Sequence, residues 1–381
     1  MTNDKPKVFL LHNIPAPYRL PLFEELSKRV DLEVCFCREN EKGRLWKINL
    51  DKYSFKRKFL KGFTIGPFVF NFTLPWELFK KRPDVYLVGE NGFETMFSIF
   101  WVFLASKLFK KPLIVWSGKL ETEWTRQQLK GIRKYAELVL SLYRKFLYHN
   151  ASAFIAYSTK AKEYLVKRGV SEEKIFIGGQ VMPEELLQEV NISKQDTEYK
   201  DKTVILTISY LSKRKGIDYL IEAFKELNFK NTVLIIGGTG EEERNLKLLA
   251  GNNPNIYFVG YVDGFEKFRL YSIADIFVLP TLYDPWGLVV NEAMYFGLPI
   301  IVTDAAGCSE MIKDNGLVVP PADREGLREA IKVLVENKSL REKMGRRSKE
   351  IAQCSLWFSV RPFLESIRWS LGHIASVQSD V

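Results

Sequence analysis

Two carboxylates eight positions apart, Asp284 and Glu292, bracket Gly287 in a stretch that otherwise reads Pro285, Trp286, Leu288, Val289, Val290 and Asn291. An ionised carboxylate only accepts hydrogen bonds, so such a pair suits ligand hydroxyls. The glycine lies where a strand-like apolar run, Asp275 to Pro280, gives way to an apolar helical pattern from Leu288 to Phe296. The first amides of a helix lack intrahelical acceptors and attract phosphate. Hydroxyl acceptors next to phosphate donors fit one kind of ligand, a sugar joined to a diphosphate. As a plain helix cap, Asp284 would contribute about 1 kcal/mol. Glu292 is harder to read that way, because it falls about one turn into an apolar helix start, where an unpaired charge is costly.

The pieces around this pair carry a resemblance. Asp284 to Glu292, followed by Ala293 to Asp304, resembles the Glu-x7-Glu signature of retaining glycosyltransferase family 4. Lys215 and Gly216 resemble the family's Lys-Gly helix start, Ile235 to Gly240 its glycine turn, and Val259 to Val262 the strand end that lines its base pocket. Together they cover roughly residues 200 to 335 in family order. The resemblance implies an α/β chain with the GT-B fold: two Rossmann-like parallel-sheet domains facing across a cleft, with a C-terminal helix crossing back to the first domain.

It also implies catalytic roles for Asp284, Glu292 and Lys215, and donor binding by Lys213, Arg214, Gly238, Tyr261, Val262, Trp286, Gly287, Leu288 and Val289. The implied reaction moves a sugar from a UDP- or GDP-linked donor, with retention, to the hydroxyl of a lipid-linked, glycan or small-molecule acceptor. Neither cofactor nor metal is expected. Cell-surface glycan, glycolipid or polysaccharide synthesis is the implied setting. The chain departs from the family at three points. Asp284 stands for a Glu and is one methylene shorter. Tyr210 stands where an Arg usually shares the diphosphate with the lysine, leaving Lys213 or Arg214 to supply that charge. The stretch Val115 to Glu123 lacks the His expected against the transferred sugar.

In the first half, candidate groups sit in loops after strand-like runs, where ligands of open α/β sheets gather. His12 and Arg19 follow the first run, Glu90 follows the run ending at Val88, and Gly118 and Glu121 follow Trp116. Arg19 has the fork that matches oxyanions. Each has a plain structural alternative: ion pair, loop packing or helix cap. Ser158 and Thr159 read as cap residues.

The framework follows from periodicity. Apolar runs beginning at Val8, Leu32, Val85, Leu113, Ala153 and Ile175, and again at Val204, Val233, Ile256, Ile276, Pro299 and Leu317, alternate with amphipathic stretches, the pattern of two parallel sheets covered by helices. The polar stretch from Met182 to Lys202 suits a linker. The expected domains are therefore residues 1–185, forming the acceptor side and joined by a helix over 356–381, a linker over 186–202, and a donor domain over 203–355.

A chain of 381 residues with 46% hydrophobic residues can bury two domain cores. Its four cysteines and three histidines show no metal or disulfide spacing. The longest apolar helix candidate, Met96 to Phe109, is too short to cross a bilayer and reads as a buried helix. With no leader-like start, the cytoplasm is the expected location. The net charge of +10 is uneven: residues 1–185 hold 32 Lys+Arg against 20 Asp+Glu, the remainder 24 against 26. A basic first half suggests a pyrophosphate-linked acceptor or a peripheral contact with an anionic membrane face. No nucleic-acid-binding pattern accompanies it. The rival readings are a nucleotide-sugar epimerase on the same fold and a non-catalytic or basic nucleic-acid-binding protein.

Overall fold

The computed structural model describes residues 5–41, 48–128, 132–178, 180, 193–353 and 357–379. They form two units. The first comprises residues 1–119, 128–180 and 356–381, the second 120–127 and 181–355.

In the first unit, strands β1 (Lys7–His12), β2 (Asp31–Phe36), β3 (Lys56–Phe59), a hairpin of β4 (Phe63–Ile65) and β5 (Phe68–Phe70), then β6 (Val85–Gly89), β7 (Leu113–Ser117), β8 (Ala153–Ala156) and β9 (Ile175–Ile177) alternate with helices. The helices of this part of the chain are α1 (Leu20–Ser27), α2 (Leu74–Lys81), α3 (Phe93–Leu108), α4 (Glu123–Gln127), α5 (Ile132–Asn150) and α6 (Thr159–Val166), of which α4 groups with the second unit. Seven strands make one parallel sheet in the order β3-β2-β1-β6-β7-β8-β9. Its central strands are buried along their whole length, as a sheet covered on both faces requires.

The second unit holds β10 (Thr203–Ile208), β11 (Thr232–Gly237), β12 (Ile256–Gly260), β13 (Ile276–Leu279), β14 (Ile300–Thr303) and β15 (Gly316–Val319). They pair in parallel in the order β12-β11-β10-β13-β14-β15. Helices α7 (Ile217–Leu227), α8 (Glu243–Ala250), α9 (Gly264–Ile273), α10 (Leu288–Tyr295), α11 (Arg324–Glu336) and α12 (Lys338–Ala352) cover it. The last helix, α13 (Trp357–Ser379), returns to the first unit, where Val360, Phe363, Leu364 and Ile367 enter the core and Phe363 meets Trp116 edge-on at 4.9 Å.

All twelve expected strands are present. The sheet has one more, β3, which is mostly basic and lies at an edge, where charged side chains discourage further pairing. Two expectations differ from the structure. Leu120–Gln127 groups with the second unit, where the Trp124 ring lies nearly parallel to that of Tyr283 at 6.3 Å. Helix α3 is not buried all round: Phe100, Trp101, Leu104 and Leu108 are exposed. Residues 186–192 of the expected linker lie outside the described residues.

Candidate functional site

In the second unit the loops after β10, β11, β12 and β13 leave the same edge of a parallel sheet, the edge at which such sheets bind ligands. The loop after β10 turns through a single 3-10 turn, Lys213–Lys215, that ends on Gly216 at φ +61°. A Cβ there would stand 2.2 Å from the Pro280 carbonyl oxygen, so this loop can lie flat on the end of β13 only with glycine. The Arg214 carbonyl then accepts the Leu282 amide at 2.8 Å and the Thr281 hydroxyl at 2.9 Å.

This docking aims the triplet. Lys213 is exposed, Arg214 is half-buried and Lys215 is buried. Lys215 Nζ donates to Asp284 Oδ2 at 2.6 Å, while the Trp286 amide donates to Asp284 Oδ1 at 3.1 Å. Arg214 reaches the Tyr283 carbonyl at 3.1 Å. Burial would raise the Asp284 carboxyl. The charges of Lys215 and Arg214, with the two hydrogen bonds, outweigh it and hold the group below its ordinary range. Of the two candidates to replace the absent arginine at exposed Tyr210, Arg214 acts on Asp284 and Lys213 points outward.

Helix α10 starts at Gly287, which sits at φ +101° against Leu279 and Cys308; a Cβ would meet their side chains at 2.8 and 2.9 Å. No side chain caps this helix. The amides of Leu288 and Val289, in its first turn, therefore have no partner within the helix. One turn further, Glu292 is buried and takes a hydrogen bond from Lys267 Nζ at 2.6 Å and another from the Tyr271 hydroxyl at 2.8 Å, both on α9. Burial, then the Glu292 charge, pushes the Tyr271 phenol well above its ordinary value, so it stays a donor. The charge at Glu292 is thus partnered, as its apolar surroundings require.

The remaining donor-side candidates divide. Gly238 follows β11 with its Cα packed so closely on Ser209 that a Cβ would lie 1.8 Å from the Ser209 oxygen. Tyr261 is exposed, with its hydroxyl 3.2 Å from Asp263, and Val262 packs on the core. Trp286 is a core residue whose indole N–H is spent on Asn291 Oδ1 at 2.8 Å; its amide, rather than its ring, faces the site. Lys267 and Tyr271 did not emerge from sequence reasoning. Their i, i+4 spacing put them on one face of a helix, and the need of Glu292 for a partner was the available signal.

In the first unit, His12 is buried between the Phe23 and Trp116 rings with Nδ1 3.0 Å from the Ile14 carbonyl. Burial and the nearby Arg19 charge lower its pKa to about 3, so the ring is neutral. Arg19 is buried too, its guanidinium 4.2 Å over Trp116 and 4.9 Å over Tyr157, with Nη1 donating to Gln180. Gly118 makes room for the Tyr157 ring, which a Cβ would strike at 2.4 Å. Glu90 is fully engaged: Arg144 Nε at 2.7 Å, the Tyr148 hydroxyl at 2.7 Å and the Ser117 hydroxyl at 2.8 Å. That is a packing hub tying β6 and β7 to α5 rather than an open acceptor. Glu121 pairs with Arg126 at 3.0 Å in the stretch that groups with the second unit. Ser158 is the cap expected, accepting the Ala161 amide at 3.1 Å.

Residues 188–351 match the family model described as glycosyl transferases group 1. Among curated proteins, the chain is 31% identical over 169 residues to the uncharacterised glycosyltransferase MJ1607 of Methanocaldococcus jannaschii, covering 43% of each chain. It is 33% identical over 166 residues to the lipopolysaccharide core biosynthesis glycosyltransferase LpsE of Rhizobium meliloti, covering 42% of this chain and 47% of that one. The match thus spans about half the length of these relatives. Among solved structures, Anabaena HepE in complex with UDP and glucose superposes with a TM-score of 0.72 at 16% identity, over 95% of this chain and 99% of that one. That likeness concerns the fold. Residues 188–351 are thus similar to the glycosyl transferases group 1 family, and the two Rossmann-like units have the architecture of the GT-B fold.

Proposed function

We propose that this protein is a retaining glycosyltransferase that moves a sugar from a nucleoside diphosphate, UDP or GDP, to an acceptor hydroxyl in the building of a cell-surface glycan, glycolipid or polysaccharide. The observation that carries the reading is the buried Lys215–Asp284 pair beside the uncapped start of α10, with Glu292 on that same helix. An ammonium and helix amides neutralise charge growing on a departing diphosphate, the kind of preorganised stabilisation that commonly contributes several kcal/mol. Lys215 and Arg214 serve the diphosphate; Glu292 and Asp284 accept ribose or sugar hydroxyls. In the reaction the acceptor oxygen bonds to the anomeric carbon on the face from which the phosphate oxygen departs, and the acceptor proton passes to a donor phosphate oxygen. Electrons and atoms balance without a side-chain nucleophile, cofactor or metal.

The names of relatives support the setting: LpsE in lipopolysaccharide core synthesis, and CapM of Staphylococcus aureus in capsular polysaccharide synthesis. The acceptor in this reading is lipid-linked, a glycan or a small molecule, and the protein works at the inner membrane face.

A panel of UDP, GDP and their sugars, scored by the rise in melting temperature, tests the donor site, because a ligand of the folded state raises apparent stability. A rise with one nucleotide family, absent in Glu292→Ala, is expected. No rise with any member removes the proposal. Conversion of a nucleotide sugar without acceptor would instead identify an epimerase.

A further inference from the structure

Helix α5 turns an apolar stripe outward. Tyr135, Leu138, Leu142 and Phe146 recur at helical spacing and are all exposed, while the inward side carries buried Leu140 and Leu147 together with Arg144 and Tyr148, which bond Glu90. Water-facing apolar stripes of this length are unusual on a soluble helix. Helix α3 repeats the arrangement with Phe100, Trp101, Leu104 and Leu108. The two helices touch through Phe103 and Phe146, whose rings meet edge-on at 4.8 Å. Helix α2 meets the end of α3 through Phe79 and Phe109, the residue just after α3, at 5.7 Å and adds exposed Trp76. The hairpin joins through Phe70 and Phe97 at 4.3 Å and adds Phe63 and Ile65. Of the 22 large hydrophobic residues exposed among the described residues, 14 fall between Phe63 and Phe146, so this is a concentrated face rather than scatter.

The charge around it is net positive. Residues 56–111 carry ten Lys+Arg and four Asp+Glu. All four acids are engaged: Glu77 by Lys58 and Lys81, Asp84 by Lys111, Glu94 by Arg38, and Glu90 by Arg144. Lys61, Lys80, Arg82, Lys107 and Lys110 are exposed. Lys107 and Arg82 fold over the rings of Phe103 and Phe109, at 5.5 and 5.2 Å, as amphipathic side chains do at an apolar boundary. A second copy of the chain is a poor occupant, since a two-fold pairing would set this cationic rim against itself.

We infer that this face inserts into an anionic lipid bilayer: α3 and α5 lie in the interface plane, the aromatic and aliphatic stripes enter the headgroup and acyl boundary, and the lysines and arginines hold anionic headgroups at its rim. Trp, Phe and Leu beside Lys and Arg are the side chains that seat a helix at such a depth. Among the described residues no helix is long and apolar enough to cross a membrane, so the contact is from one side. This deepens the proposed membrane location. It does not depend on the transfer reaction, whose groups lie in the second unit.

The test is co-sedimentation of the whole protein with vesicles of phosphatidylcholine alone or of equal parts phosphatidylcholine and phosphatidylglycerol, at low and high salt. The native protein should sediment with the mixed vesicles and remain partly bound at high salt, because inserted apolar surface is not screened. Leu138→Ser with Leu142→Ser, both at exposed positions, should weaken binding about tenfold or more. Lys80→Glu with Lys110→Glu should weaken it at low salt and abolish the preference for the anionic mixture. Quenching of tryptophan emission by brominated lipid should fall in Trp76→Phe with Trp101→Phe. Melting temperature with and without UDP is read on each variant; a change there speaks to folding or to the donor site, so that vesicle binding alone decides the role of this face. Native protein that stays in the supernatant, serine variants that bind like the native protein, or a native dimer made monomeric by those serines would each overturn the inference.

Discussion

Partly buried Lys267 and buried Glu292 form an ion pair at 2.6 Å between α9 and α10, and the Tyr271 hydroxyl holds the other carboxylate oxygen at 2.8 Å. The acid that the proposed reaction needs as an acceptor is therefore presented by two neighbours that fix its direction. Fixing a binding group in advance spares the ordering cost at the moment of binding.

Lys267→Met should leave Glu292 buried without its cation. The expected result is weaker nucleotide binding, by about tenfold for a loss of about 1.4 kcal/mol, with the fold retained. Titration of the nucleotide that stabilises the native protein measures it. Tyr271→Phe, which removes one neutral hydrogen bond, should have the smaller effect, and equal losses would mean that Lys267 is no more than packing.

The Lys215–Asp284 pair makes a different prediction, because each partner is buried and removing one strands the other. Lys215→Ala should abolish sugar transfer and also cost about 3 kcal/mol of stability, since an unpaired buried charge is left behind. The double variant Lys215→Ala with Asp284→Asn should recover part of that stability and none of the activity. Denaturant unfolding beside a transfer assay separates the two. The Asp284 carboxyl is held below its ordinary pKa of 3.8, so its contribution is complete above that value and is lost as pH falls through the lower folded one. In Asp284→Asn that acid loss should be absent.

Glu90 illustrates how a candidate site group becomes structure. Its three hydrogen bonds hold α5 onto β6 and β7. Arg144→Met should destabilise the protein by about 3–5 kcal/mol, whereas Arg144→Met with Glu90→Gln should be milder. Melting curves decide the order. The single variant should leave nucleotide binding to the second unit unchanged, measured well below its melting temperature.

These cases mark what the sequence could and could not tell. Most of the twelve expected strands were legible because strands buried on both faces are unbroken apolar runs; β9, β12 and β15 are less buried yet keep an apolar run, and β3 was not legible, because Lys56, Arg57 and Lys58 mask it. Gly287 was legible as lying at a helix start, Gly216 as part of a helix start through the family resemblance, and the triplet 213–215 as basic. Which of its members faces inward was not, for that depends on Gly216 lying on Pro280, a contact between residues far apart in the chain. For Trp286, implied as donor-binding by the family resemblance, the sequence did not show that the indole N–H is engaged by Asn291 in the core. Lys267 stayed hidden since helix periodicity places it on a face without saying which carboxylate that face will meet. The same limit explains α3 and α5: periodicity finds an apolar stripe and cannot say that it points outward.

His12 gives the clearest pH dependence. The neutral imidazole donates through Nδ1 to the Ile14 carbonyl and fills the space between Phe23 and Trp116, while Arg19 close by opposes a second positive charge. Its pKa falls from the usual 6.5 to about 3 in the folded state. The unfolded chain therefore binds a proton that the folded one refuses, and stability should fall as pH drops from 6.5 towards 3, by at most about 1.4 kcal/mol per unit from this group. Above 6.5 it should contribute no slope. His12→Asn, which can still donate to Ile14, should flatten the dependence in that window. Urea unfolding at several pH values measures it, and an unchanged slope in the variant would mean that the ring opens to solvent and titrates normally.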